Sequence, residues 1–244
     1  MKLFLSAVLT LALLAPAPLA AQDDRALYME NAGAAAILYR GHRATVYPMA
    51  YNGTYFWSGP AFTAGSVRYG GRNYDNLRLN IDAARQDLLV KSTESGMDKV
   101  LQQEFVERFV MDGRLFLNLR QLYGPDAPDG YWEVIYDGRA KLVKQISRTL
   151  KKDADGTLWA QTAYDDTASD NSGPRALMTF VRTVRYCYIS ETGDISPVRK
   201  RSEILRHYKE QKREISRHIS RLESSGRMDF ERFTAEALRY AETR

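Results

Sequence analysis

Cysteine is almost missing from this 244-residue chain. Cys187 stands alone, in the apolar run RYCYI, so no internal disulfide can form and the fold must rest on its packed core. Nothing around it is built to lower a thiol pKa, which favours a buried structural thiol. Histidine is nearly as scarce, with only His42, His207 and His218. One Cys and three scattered His cannot make a tetrahedral zinc site of recognised spacing. Two acidic stretches, Asp126 with Asp129 and Asp165, Asp166 with Asp170, lack the ligand order of a calcium loop and read first as turns. There is no G-x-S-x-G elbow, no S-x-x-K with partners and no H-E-x-x-H. No glycine loop leads into a helix as a phosphate cradle would. The sequence therefore calls for no cofactor, no metal and no identifiable catalytic residue. That lowers the case for an enzyme without closing it, because triads and carboxylate pairs assemble across a fold.

Long apolar runs are also absent, except at the start. Lys2 precedes the almost wholly apolar Leu3–Leu14, and Pro16 and Pro18 break the segment before Leu19-Ala20-Ala21-Gln22. That is the layout of a secretory signal peptide over residues 1–21, cleaved after Ala20 or Ala21. Its apolar run is shorter than the roughly 20 residues a membrane span needs. The expectation is an exported protein, periplasmic or extracellular, with no transmembrane span in the mature chain. Residues 22–244 suffice for a sizeable core.

From about residue 35 to 198 the hydrophobic pattern has period two. Val67 and Tyr69 precede Gly70-Gly71, after which Leu77, Leu79 and Ile81 alternate with polar residues, as in two antiparallel strands on a tight turn. The same grammar recurs. Residues 87–91 form a return strand, and 105–110 lead through Asp112-Gly113 into an alternation of Leu115, Leu117 and Leu119. Residues 131–136 lead through Asp137-Gly138 into 142–150, Asp155-Gly156 marks a turn before 157–159, and 177–189 form a long strand. The stretch 165–175 reads as a surface loop. Short turns between strands argue an antiparallel meander, either an open curved sheet or a partial barrel. The fold class is thus α+β: residues 22–198 are β-rich, and residues 199–244 add a C-terminal helical hairpin to the same domain.

In that hairpin, Ile204, Leu205, Tyr208, Ile215, Ile219 and Leu222 recur at helical spacing, predicting one amphipathic helix from a Ser202 cap towards Gly226. Asp229 caps a second helix, with Met228 positioned to staple Phe233. Residues 199–223 carry nine Lys/Arg against four Asp/Glu, a local +5 equal to the formal charge of the whole chain. Arg206, Arg213, Arg217 and Arg221 lie opposite the apolar stripe, with Glu210 and Glu214 spaced to pair with Arg213 and Arg217. They make either a solvated face or an anion site for phosphate-bearing lipid, lipopolysaccharide or an acidic partner. Export and the lack of interleaved aromatics argue against nucleic acid. His207 and His218 lie about 16 Å apart on such a helix, too far to share a metal, each four residues after a glutamate. A second cluster, Tyr47, Tyr51, Tyr55, Phe56, Trp57 and Phe62, packs as core or forms a binding surface for a glycan or peptide, with Tyr47, Tyr51, Tyr55 and Trp57 as its candidate contacts.

Two stretches, FTAGSVRYGGRNYDNLRLNID (62–82) and YISETGDISPVRKRSEIL (188–205), together with the export signal and charged helical tail, resemble uncharacterised exported β-rich proteins common in Bacteroidota. The resemblance implies no activity, cofactor or site. The expected role is a non-catalytic binding or assembly module of the cell envelope, with an envelope protein, glycan or anionic lipid as partner and the oligomeric state left open. The alternative is an envelope hydrolase acting on glycan or peptide, its site assembled across loops.

Overall fold

In the computed structural model, residues 38–47, 51–92, 98–152 and 178–243 are described. The expected signal peptide, the 155–159 turn and strand start, the 165–175 loop and Asp165, Asp166 and Asp170 lie outside them. Leu38–Arg244 forms one compact unit.

The sequence's turns build two meanders. The first comprises β2 (Thr63–Tyr69), β3 (Arg72–Asp82), β4 (Asp87–Val90) and β5 (Lys99–Val100). The second comprises β6 (Val106–Met111), β7 (Arg114–Asn118), β8 (Tyr131–Asp137), β9 (Lys141–Lys152), β10 (Met178–Ile189) and β11 (Ile195–Val198). Both central residues of the Gly70-Gly71 and Asp112-Gly113 turns have positive φ, the geometry that matches a two-residue hairpin to strand twist. β2 pairs antiparallel with β6 and fuses the meanders into one open sheet. With β1 (Tyr51–Asn52) as the first strand, its order is β1-β10-β9-β8-β7-β6-β2-β3-β4-β5, with β11 on β10. Here β1 supplies a parallel pairing, to Met178 and Thr179 of β10.

Beyond Lys144, the edge of β9 that β8 leaves uncovered is taken by the β3–β4 turn. Arg148 N–H donates to Ala83 O (3.0 Å) and Gln86 Nε2 to Ile146 O (3.1 Å). The segment after β1 completes the tie, with Ala83 N–H donating to Tyr55 O (2.8 Å) and Trp57 N–H to Ile81 O (3.0 Å). The open sheet therefore bends far enough for β3 and β9 to be laced together.

Several local expectations need correcting. Leu119 does not continue β7: a short helix α1, Leu119–Tyr123, starts there, with Leu119 fully buried. Phe105 belongs to a 3-10 turn, Gln103–Phe105, and is exposed. Ser196 and Pro197, just before the change of period, lie in β11, the proline on an edge strand where its missing N–H costs no ladder bond.

The C-terminal helix predicted as one is two, α2 (Arg201–His207) and α3 (Lys212–Leu222), followed by α4 (Phe230–Glu242). Tyr208 leaves helical geometry at φ −121°, ψ 53°. Ser202 sits inside the first turn; the start is fixed by Glu203, whose carboxylate accepts the N–H groups of Arg199 (2.6 Å) and Lys200 (3.2 Å). Gly226 ends the segment at φ 146°, and Asp229 caps α4 through Arg232 N–H at 2.7 Å, both as expected.

Ile204, Ile215 and Ile219 are buried with Met228, Phe233 and Leu238 against Leu142 and Tyr188 of the sheet, each side chain contributing about 1.5–3 kcal/mol of apolar burial. Leu222, read as part of this docking stripe, is 39% exposed at the C-terminal end of α3, past the buried Ile215 and Ile219.

Candidate functional site

The helices cover only part of one sheet face, and the strand register ranks what lies along it. On β9 and β10 the paired rungs facing the helices run Leu142/Tyr188, Lys144/Tyr186, Ile146/Val184, Arg148/Arg182 and Leu150/Phe180. The first rung lies beneath the hairpin.

The second rung carries a buried ionic network. Lys144 Nζ sits 2.7 Å from Glu133 and 3.3 Å from Glu231, Arg114 contacts Glu133 at 2.5 Å, and Tyr186 donates to Glu231 at 2.8 Å. Glu133 is 3% exposed, so two cations hold a carboxylate that would otherwise be costly to bury. Tyr186 is raised well above its ordinary pKa by burial and by the carboxylate it faces. All these groups are engaged with one another, which makes the network a joint between sheet and hairpin.

At the last rung, three of the four aromatic candidates converge. Tyr47, Tyr51 and Tyr55, all half-buried, surround Phe180 with centroids at 5.2, 5.0 and 5.8 Å, mostly edge-on. Phe180 escaped the sequence reading because it is more than a hundred residues away; its place on the alternating face of β10 was the available signal. Tyr47 also donates to Asp82 at 3.0 Å. Asp82 is 2% exposed, and burial holds its carboxyl above the usual range against hydrogen bonds from Arg85 N–H, Tyr47 and Ala84 N–H. Trp57 is not part of this group. It packs edge-on against Phe116 (5.4 Å) with the Arg114 guanidinium over its ring (5.4 Å).

The four arginine candidates divide as well. Arg213, Arg217 and Arg221 recur every four residues on α3, whereas Arg206 belongs to α2. All are exposed, and among the described residues none forms an ion pair, so the anticipated pairs with Glu210 and Glu214 are not made. His207 stacks on Tyr188 (4.2 Å) and His218 on Tyr240 (4.4 Å), apolar ring contacts in place of the anticipated glutamate pairs. Burial lowers the His207 pKa. Cys187 is 3% exposed and burial raises its thiol to about 11.

The opposite sheet face holds what the sequence did not reveal. There α1 and the 124–130 loop cover Trp132, Val143, Cys187 and Ile189, and beside them an open groove of about 480 Å³ remains. Its floor and wall are Arg68, Arg108, Leu115, Val134, Leu122 and Tyr123, drawn from β2, β6, β7, β8 and α1. Leu122 (42%) and Tyr123 (37%) are large side chains left exposed on its rim. Glu107 is tied to Arg68 (2.6 Å) and to Gly71 N–H (2.9 Å), and Asp137 is bound to Lys141. Arg108 forms no ion pair among the described residues. No helix in the described residues is long and apolar enough to cross a membrane. No family model matches the chain, and neither curated proteins nor solved structures yielded a match.

Proposed function

We propose that this is an exported cell-envelope protein acting as a non-catalytic binding module, with its ligand held in the groove on the face opposite the helical hairpin. The observation that carries the reading is the composition of that groove. An open guanidinium, Arg108, lies beside aliphatic and aromatic surface, while both nearby carboxylates are engaged with cations. Convergent polar groups on an apolar floor suit recognition. A hydrolytic site would need a free acid or base within reach of the scissile bond, and Glu107 and Asp137 are already committed. The signal-peptide layout expected over residues 1–21 would place the protein where an envelope component is the ligand at hand.

Retention of the purified protein on isolated cell-envelope fragments tests the reading. Arg108→Glu and Leu122→Asp are expected to weaken retention about tenfold or more, and Arg213→Gln on the hairpin to leave it unchanged. Unaltered retention in both groove variants would refute the groove. Reproducible turnover of cell-wall glycan or peptide, abolished by changing one groove residue, would favour the hydrolase instead.

A second reading, contact with anionic lipid, is favoured by the four exposed arginines of the hairpin, none of which forms an ion pair among the described residues. It requires salt-sensitive binding to anionic liposomes that disappears when Arg206, Arg213, Arg217 and Arg221 are all changed to Gln.

A further inference from the structure

Arg148 and Arg182 face each other across β9 and β10, one rung from Leu150/Phe180 and one rung from Ile146/Val184. Directly opposed side chains on one sheet face have Cβ atoms about 4.5–5.5 Å apart, and two like charges there repel. A carboxylate or other anion between the two cations would relieve that repulsion. Here neither arginine forms an ion pair or a side-chain hydrogen bond among the described residues, and Arg148 Nε is buried with no partner. Burial, followed by the charge of Arg182, lowers the Arg148 pKa, the signature of a guanidinium lacking its anion. The ionic network two rungs away has its own complete set of partners and leaves no carboxylate to spare.

On the other side stand the tyrosines. Tyr51 and Tyr55 lean on Phe180, which is two residues along β10 from Arg182 and on the same face, about 7 Å away at the usual strand rise. They are half-buried, so each ring keeps part of its surface open. A basic pair beside rings with apolar bodies and polar tips suits a ligand that joins an oxyanion to a compact hydroxylated ring.

We propose that Arg148 and Arg182, together with the Tyr51/Tyr55/Phe180 bank, form a binding site for an acidic sugar, its carboxylate or phosphate lying between the two guanidiniums and its ring against the tyrosines. The site lies on the opposite sheet face from the groove and stands or falls independently of it. No bond is made or broken there.

Calorimetric titration of the purified protein with glucuronate, glucose 1-phosphate, inorganic phosphate and glucose tests the assignment. Glucuronate and glucose 1-phosphate are the two sources of the charged group, and at least one is expected to bind ten times more tightly than either inorganic phosphate or glucose. Arg182→Gln is expected to cost tenfold or more for every anion. Tyr51→Ala should remove the advantage of the acidic sugar over inorganic phosphate and leave phosphate binding in place. Because Arg182 is exposed, its replacement keeps the test open even where Arg148→Gln fails to fold. Equal affinity for glucose and the acidic sugars, unchanged binding in Arg182→Gln, phosphate binding as tight as both acidic sugars, or no binding of any probe would each overturn the proposal.

Discussion

Replacing Lys144 by Met isolates the charge that joins sheet to hairpin. The Lys144 side chain is 8% exposed and its ammonium lies 2.7 Å from the carboxylate of Glu133, whose side chain is 3% exposed, with Glu231 a further partner at 3.3 Å. Methionine keeps most of the stem's volume, so the cost comes from stranding Glu133 rather than from a cavity. Breaking a buried pair by removing one member costs about 3–5 kcal/mol. Arg114 still contacts Glu133 and its side chain is 49% exposed, so part of the carboxylate's compensation survives and the loss should sit near the low end, about 3 kcal/mol. For a domain of this size that is a fall in Tm of about 6–12 °C. Urea unfolding followed by circular dichroism gives the free energy, and a companion variant gives the cause. Lys144→Met combined with Glu133→Leu removes both buried charges and is expected to recover most of the loss, since apolar replacement of a whole pair is often neutral. A single variant within about 0.5 kcal/mol of the parent would refute the reasoning.

Other consequences are equally open to measurement. Glu242 accepts Ala140 N–H (2.8 Å) and Tyr136 O–H (2.9 Å); burial opposes its charge, but these donors prevail and hold the carboxyl below its ordinary value. Its contribution is therefore present above the unfolded pKa of about 4.3 and lost as pH falls through the lower folded value, so Glu242→Gln should be less stable than the parent at pH 7, with the gap narrowing as pH falls below about 4 in urea titrations. At Gly65 a Cβ would meet Val110 O at 2.3 Å and Leu79 Cδ1 at 2.8 Å, so Gly65→Ala should cost about 1–3 kcal/mol in the same assay. The Cys187 thiol, raised to about 11 by burial, should resist an aromatic disulfide reagent at pH 8 in the folded protein and react fully in urea; rapid reaction when folded would contradict its burial.

Much of the sheet was legible because local chemistry governed it. Gly70-Gly71 and Asp112-Gly113 fix hairpins by their own backbone preferences, and alternating residues fix which face is buried. The short β1, β5 and β11 were not legible, because two to four residues carry no period and their pairing depends on distant strands. The break at Tyr208 was hidden because Ile204 and Ile215 keep one helical phase in the sequence even though docking interrupts the backbone between them. For the aromatic candidates, composition brought Tyr47, Tyr51 and Tyr55 to notice but could not supply Phe180 or separate Trp57, both set by register. The groove was invisible for the same reason: Arg68, Arg108, Leu115 and Val134 come from four strands, and Leu122 was hidden by a helix that alternation mistook for strand.

The claim of a groove-held ligand is tested most directly by photo-crosslinking in the presence of cell-envelope fragments. A benzophenone side chain at position 122, on the groove rim, should capture an envelope component, and one at position 217, on the hairpin, should not. Capture at 217 with none at 122 would contradict the account.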